Sequence, residues 1–135
     1  MTETADRGHN APCSNRDFDF FYRGLEDQQL LVQQCTRCKL LRSLPSPGCE
    51  GCASLDWEPV ALSGGGEIYS YVTHHHPPLP GFASPHPVAL AMMDEGVRLL
   101  GAMDGTDPAE LSIGRRIEVE FVRRDALAAF RFRLR

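Results

Sequence analysis

The apolar positions of this chain follow a helical period first and a strand period afterwards. In DFDFFYRGLEDQQ, which opens at Asp17, the residues Phe18, Phe21, Tyr22 and Leu25 recur at i, i+3, i+4 and i+7, the stripe of an amphipathic helix. Phe20 falls off that stripe. Asp17 and Asp19 in the first turn suit the positive end of the helix dipole. Gly24 and the polar run after Leu25 end the element, so the spacing predicts a short helix within residues 17–27. Its aromatic stripe must bury against the rest of the chain or against another protein. Residues 1–15 are polar and without period, and we expect a disordered leader there.

Beyond the helix the period shortens to two. Leu30–Gln34 is a short strand candidate that runs into Cys35, and Pro59–Leu62 is another that meets Ser-Gly-Gly-Gly. EIYSYVTH (67–74) alternates, and VALAMMD (88–94) turns at Asp94-Glu95-Gly96 into VRLLGAMDG (97–105), the pattern of a hairpin. Asp107–Leu111, opening with Asp-Pro, predicts one helical turn. IEVEF places Ile117, Val119 and Phe121 on one face; FRFRL places Phe130, Phe132 and Leu134 on one side and Arg131, Arg133 and Arg135 on the other. Five short strands with one helical insertion favour a small barrel over a sandwich. The expected organisation is mainly β: a leader over 1–15, the helix and a cysteine-bearing module over 16–56, and a barrel over 57–135.

Between helix and barrel lies CTRCKLLRSLPSPGCEGC. Cys35, Cys38, Cys49 and Cys52 form two CxxC pairs with ten residues between them. No apolar h-region opens the chain and no run is long enough to span a membrane, so a cytoplasmic setting is expected, where thiols stay reduced and disulfides are disfavoured. A redox CxxC would accompany a βαβ pattern, which is absent. Four thiolates delivered from two tight turns suit a tetrahedral metal site, and Pro45, Pro47, Gly48 and Gly51 supply the turns. The ten-residue middle suits a ribbon whose two knuckles face each other. Zinc is the expected ion, although a rubredoxin-like iron centre would use the same four ligands. With every coordination position filled by sulfur the ion is structural. It supplies stability, on the order of 10 kcal/mol in comparable modules, to a segment with few apolar side chains of its own. Cys13 has no second cysteine at a useful spacing and reads as a surplus thiol.

Charge and the remaining motifs narrow the function further. The net charge is −4 and the chain has one lysine, a poor footprint for a general nucleic-acid binder. The charge is unevenly spread: residues 115–135 carry seven arginines and three acids. Those arginines are either the solvent-facing sides of terminal strands or a charged partner surface. In YVTHHHPPLPGFASPHP, the consecutive His74, His75 and His76 alternate sides of a strand end and cannot converge on one ion. The proline-stiffened stretch that follows, tipped by Leu79 and Phe82, is either a plain connection or a binding loop on a rigid scaffold. SGGGE lacks a lysine and opens a strand, so it is a turn and no phosphate cradle. Asp94/Glu95 and Glu118/Glu120 are explained by turn chemistry and a solvated strand face. No catalytic constellation is visible.

The order FxFFYxGL helix, double CxxC, GEIYS strand (Gly66–Ser70), GVRLLG hairpin and IGRRIEVEF segment resembles the zinc-ribbon-plus-OB-fold family of acyl-CoA-associated proteins, long catalogued as a domain of unknown function. The resemblance spans about residues 17–135. It implies a rubredoxin-like zinc ribbon followed by a five-stranded OB-fold barrel, with Cys35, Cys38, Cys49 and Cys52 as metal ligands. It also implies a non-catalytic accessory subunit of a thiolase-superfamily enzyme or an acyl-CoA hydratase. Family roles include bridging a thiolase to a synthase and completing a lipid-transfer-protein-like aldolase that cleaves side chains from steroid acyl-CoA thioesters. On that view Phe18, Phe21, Tyr22 and Phe82 are candidates to dock the partner. Arg115 and Arg116, whose paired donors suit oxyanions, are candidates for CoA phosphates at the interface. The competing functions are a stand-alone acyl-CoA-binding module and a single-stranded nucleic-acid-binding OB fold, the latter needing exposed aromatics beside basic residues.

Overall fold

The computed structural model describes residues 16–135. The disordered leader expected over 1–15, Cys13 within it, lies outside the described residues. A 3-10 turn, Arg16–Phe18, runs into helix α1, Asp19–Glu26, within the span that the stripe predicts. Eight strands follow: β1 Leu31–Cys35, β2 Leu41–Arg42, β3 Trp57–Ala61, β4 Gly65–His74, β5 His86–Met93, β6 Arg98–Ala102, β7 Arg116–Arg124 and β8 Leu127–Leu134. The helical turn after Asp-Pro is a 3-10 turn, Pro108–Glu110, in which Asp107 Oδ1 accepts from the Ala109 N–H at 3.0 Å.

The strands form two sheets. The smaller has the order β2-β1-β3 and the larger β6-β5-β4-β7-β8. All pairs are antiparallel. Trp57–Ala61, placed with the barrel by the sequence pattern, bonds along its length to β1, with Cys35 opposite Trp57 and Leu31 opposite Ala61. The cysteine module therefore uses strands from both sides of its loop, and β3 carries the chain out of it.

The five-stranded sheet curls until its edge strands β6 and β8 meet through side chains, a nearly closed barrel. Ile68, Ala89, Ala91, Leu99, Ile117 and Phe132 point inward and are buried. The alternation in β7 and β8 is as expected: Ile117 faces Leu134, Val119 faces Phe132 and Phe121 faces Phe130 across the ladder. On the outside of the same pair, Glu118 lies opposite Arg133 and Glu120 opposite Arg131, so the C-terminal arginines meet carboxylates on a solvated face. Arg124 is bidentate on Asp104 at 2.7 and 3.0 Å, and Arg131 reaches both Asp104 and Glu120.

Helix α1 lies against β8 and β1. Leu25 is buried, Phe21 meets Phe130 edge-on at 6.1 Å, and Phe20, off the predicted stripe, packs at a tilt against Trp57 with ring centroids 4.9 Å apart. The helix thus ties the small sheet to the barrel. Gly24 permits this: a Cβ there would stand 2.8 Å from the Leu31 side chain.

Candidate metal centre and partner surface

The two CxxC segments fold into matching turns. The Lys39 N–H donates to the Cys35 carbonyl at 2.9 Å, and the Ala53 N–H donates to the Cys49 carbonyl at 2.8 Å. The Cys35 and Cys49 N–H groups in turn donate to the Leu40 and Ser54 carbonyls, each at 2.9 Å. Both turns end in a residue in the left-handed region, Lys39 at φ 67° and Ala53 at φ 63°. That conformation costs a side-chain-bearing residue roughly 1–2 kcal/mol, so each turn needs outside support. Each turn brings two sulfurs to its concave side, and the turns face each other across the sheet end.

The four Sγ atoms lie within 4.8 Å of one another. Across the turns, Cys35 is 3.6 Å from Cys52 and Cys38 is 3.4 Å from Cys49. These are too long for disulfides. They match the roughly 3.8 Å edge of a tetrahedron with metal–sulfur bonds of about 2.3 Å. Backbone N–H groups converge on the sulfurs as well: Cys38 N–H on Cys35 Sγ at 3.5 Å and Gly51 N–H on Cys49 Sγ at 3.4 Å. The N–H of Cys38, with that of Arg37, holds the Cys35 thiol down at about 6, and N–H groups of Cys52 and Gly51 lower Cys49. Cys38 also accepts from the Leu40 N–H, but its hydrogen bond with Cys49 and partial desolvation prevail and push it up to about 12. Sulfurs this close cannot all carry charge without a cation among them. The donor set and the spacing both fit a four-coordinate thiophilic ion.

The loop leading to the second turn is pinned from the small sheet by two buried polar residues that the sequence did not single out. Gln33 Oε1 accepts from the Ser46 N–H at 2.9 Å. Arg42 Nη1 donates to the Ser46 carbonyl and hydroxyl, both at 3.2 Å, and the Ser46 hydroxyl donates to the Gly48 carbonyl at 3.0 Å. Gln33 and Arg42 are cross-strand neighbours, so one face of β1–β2 holds the Pro45–Gly48 bend.

The other candidates fall apart from this centre. Among the described residues the four cysteines are the only group of three or more His, Cys, Asp or Glu side chains gathered closely enough for an ion. His74 Nε2 lies 2.6 Å from the Pro77 carbonyl, and its cross-strand neighbour His86 is buried beneath Phe82, ring centroids 4.1 Å apart. Burial lowers His86, partly opposed by Asp104. Phe82 also carries the Arg124 guanidinium over its ring at 4.7 Å. Arg116 is bidentate on Asp94 at 2.9 and 3.1 Å, and Arg115 donates to the Glu110 carbonyl at 3.4 Å. The Arg116 fork is therefore already filled by a carboxylate.

The aromatic residues of the helix border open apolar space. Phe18, Phe21 and Tyr22 line a groove of about 540 Å³ together with Leu44, Leu90, Leu100 and Phe130. Phe21, Tyr22 and Phe130 also line a smaller hollow of about 300 Å³, whose far wall is Phe82, Arg124 and Leu127. The two hollows share Phe21, Tyr22 and Phe130 as lining. Arg98, absent from the sequence candidates, is the one charged side chain among the described residues that lines the larger groove. Phe132, by contrast, is fully buried, and Phe130 packs on Phe21 and Phe132. Phe132 therefore offers no open face to a nucleic-acid base. Among the described residues no helix is long and apolar enough to cross a membrane.

Comparison with known proteins places this architecture. Residues 59–122 match the family model of the ChsH2 C-terminal OB-fold domain. A probable enoyl-CoA hydratase alpha subunit of Thermomonospora curvata is 39% identical over 114 residues, which cover 84% of this chain and 36% of that protein. The 3-oxo-4,17-pregnadiene-20-carboxyl-CoA hydratase alpha subunit of Mycobacterium tuberculosis is 36% identical over 111 residues, covering 82% of this chain and 35% of that protein. This chain thus spans about a third of the length of these two relatives. Among solved structures, a chain of an Ltp2-ChsH2(DUF35) aldolase superposes with a TM-score of 0.84 at 37% identity, covering 91% of this chain and 98% of that one.

Proposed function

Since the chain belongs to the DUF35 family, with the OB-fold domain of ChsH2 type, we propose that it is a non-catalytic accessory subunit of a thiolase-superfamily enzyme acting on CoA thioesters. The enzyme is an acyl-CoA aldolase (lyase) or acyltransferase, and the relatives point to steroid side-chain degradation. The observation that carries this is the near end-to-end match to one chain of a two-component aldolase.

Cys35, Cys38, Cys49 and Cys52 hold a zinc ion in this proposal. When bound, the ion supplies a cross-link with all four positions taken by sulfur, and so stability without chemistry. The chain's own residues do the rest: Gln33 and Arg42 fix the bend before the second turn, and Phe20 on Trp57 joins the module to the helix. The partner docks on the surface bordered by Phe18, Phe21, Tyr22 and Phe82, where aromatic side chains make strong anchors. Arg115 lies exposed for CoA phosphates at the edge of the assembly, and Arg116 joins it by exchanging the Asp94 carboxylate for a phosphate. The partner enzyme carries the reacting groups.

The test is co-expression with a lipid-transfer-protein-like enzyme encoded in the same genome. A stoichiometric complex in size-exclusion chromatography with light scattering, and aldol cleavage of a steroid acyl-CoA thioester only when both chains are present, is the expected result. Aldol cleavage of that thioester by this chain alone, at a rate unchanged by the partner, contradicts the proposal.

A further inference from the structure

Strand β4 ends and strand β5 begins in a pair of histidines, His74 opposite His86, and the loop over 75–85 springs from that pair. The loop bonds to itself: the Ser84 hydroxyl donates to the His75 carbonyl at 3.0 Å and the Phe82 N–H to the Leu79 carbonyl at 3.1 Å. Within 75–85 every residue is exposed except Phe82, which is half-buried. The loop is therefore held down through that one ring. Phe82 lies over His86 with ring centroids 4.1 Å apart, and the Arg124 guanidinium stands 4.7 Å from the same ring.

His86 is only 4% exposed, and its Nδ1 is buried without a hydrogen-bond partner. A neutral imidazole tolerates this by carrying its proton on Nε2 and leaving a bare lone pair at Nδ1. Imidazolium does not: Nδ1 becomes a charged donor with no acceptor, a far costlier group to bury. The groups that face His86 do not relieve it. Arg124 of β7 presents a like charge, and so does His74 of β4 when protonated. Asp104, after β6, supplies the opposite charge, but it already accepts from Arg124 at 2.7 and 3.0 Å and from Arg131 of β8 at 3.2 Å. Burial accordingly lowers His86, ahead of the pull of Asp104. His74 differs: its Nε2 lies 2.6 Å from the Pro77 carbonyl, which only accepts, so that nitrogen keeps its proton in either charge state and the contact survives titration. The route by which a protonated His86 reaches water is to shed the ring above it. We propose that the 75–85 loop is a pH-gated lid: neutral His86 seats Phe82 and closes it, and a proton on His86 releases Phe82 from the barrel end. Phe82 also walls the 300 Å³ hollow that it shares with Phe21, Tyr22 and Leu127, so an open lid removes that wall. The closed lid excludes the proton. Closure is therefore strongest above the ordinary histidine range and weakens as pH falls through it, until His86 titrates with the lid shut. This device belongs to the free chain and does not rest on the accessory-subunit function.

The experiment follows the full chain by NMR from about pH 8 to about pH 5, a span that brackets the ordinary histidine range. The lid is read from the nuclear Overhauser effect between the Phe82 and His86 rings and from exchange of the Phe82 N–H, corrected for its intrinsic rate. In the wild type the ring-to-ring effect should fade as His86 gains its proton. The opening equilibrium of the Phe82 N–H should rise by up to about tenfold for each pH unit below the ordinary histidine range. His86→Leu, which cannot titrate, should keep the lid closed throughout, whereas His75→Gln and His76→Gln, changed at exposed positions, should respond like the wild type. In Phe82→Ala, with the cover gone, His86 should titrate closer to the ordinary histidine value. A ring-to-ring effect that persists once His86 is protonated overturns the lid, and so does a pH response retained by His86→Leu. Should His86→Leu fail to fold, the comparison of wild type with Phe82→Ala decides, and identical titration of His86 in both overturns the proposal. No partner enzyme enters these measurements, so their failure leaves the accessory function standing.

Discussion

Gly101 lies directly under the Phe132 ring: a Cβ added to it would stand 2.6 Å from one Phe132 ring carbon and 2.9 Å from one of Phe130. β6 and β8, the two ends of the five-stranded sheet, approach this closely only because position 101 has no side chain. Phe132 is wholly buried there and meets Phe130 edge-on at 5.6 Å.

Gly101→Ala therefore forces either the ring or the strand to move. We expect a loss of about 1–3 kcal/mol, the usual range for overpacking a core. Chemical denaturation should show it, with the metal content of the protein unchanged. A melting temperature equal to the wild type's would mean that β6 and β8 are not in contact.

Asp104 joins the strand ends through Arg124 and Arg131. Burial raises its carboxyl, but hydrogen bonds and charge from both arginines outweigh that and hold it below the usual carboxylate range. A depressed folded-state value means that the stabilisation is present above the unfolded carboxylate's titration and is lost as pH falls through the folded one. Asp104→Asn should cost about 1–3 kcal/mol near neutral pH. Against the wild type, the deficit should shrink towards zero as the pH falls below the ordinary carboxylate range. Urea titrations of both proteins across that range check the sign.

Replacing one cysteine tests the metal centre. Elemental analysis should give one zinc per chain for the wild type and little for Cys49→Ser. X-ray absorption should give four sulfur ligands at about 2.3 Å. Because ligation contributes on the order of 10 kcal/mol in such modules, Cys49→Ser and chelation should both abolish amide-exchange protection in β1 and β2. Protected β1 amides in metal-free protein would show that the module folds without an ion.

Phe21 and Phe82 separate assembly from stability. Phe21 contacts Phe130 in its own chain as well as the open groove, so Phe21→Ala should lower both the melting temperature and partner affinity. Phe82 lies over His86 and Arg124 at the surface, and Phe82→Ala should act mainly on affinity. Each should weaken the complex by about 1–3 kcal/mol if it is an anchor. Affinity unchanged in both variants would move the interface elsewhere.

Much of this protein was legible from its pattern of residue types. The double CxxC spacing is local chemistry: each pair needs only its own turn to present two sulfurs, so the four cysteines that cluster could be named without a fold. The strands β4 to β8 were equally plain: a barrel that buries one face writes a period of two into β4, β7 and β8, and β5 stood out as a short apolar run ended by the Asp94-Glu95-Gly96 turn. The helix stripe marked Phe18, Phe21, Tyr22 and Leu25 as a face, but not what lies against it.

What the tertiary structure decided depends on partners distant in sequence. Trp57–Ala61 has the composition of any strand, and only its bonds to Leu31–Cys35 assign it to the cysteine module. Arg116 is a phosphate candidate by residue type, and only the fold shows that Asp94, 22 positions away, occupies its fork. Arg42 and Gln33, polar residues in a polar stretch, are buried supports for the second turn, since burial follows from packing and leaves no mark in composition. Residue type determines which groups seek burial, a metal or an opposite charge; which of them meet is set by the closure of the chain upon itself.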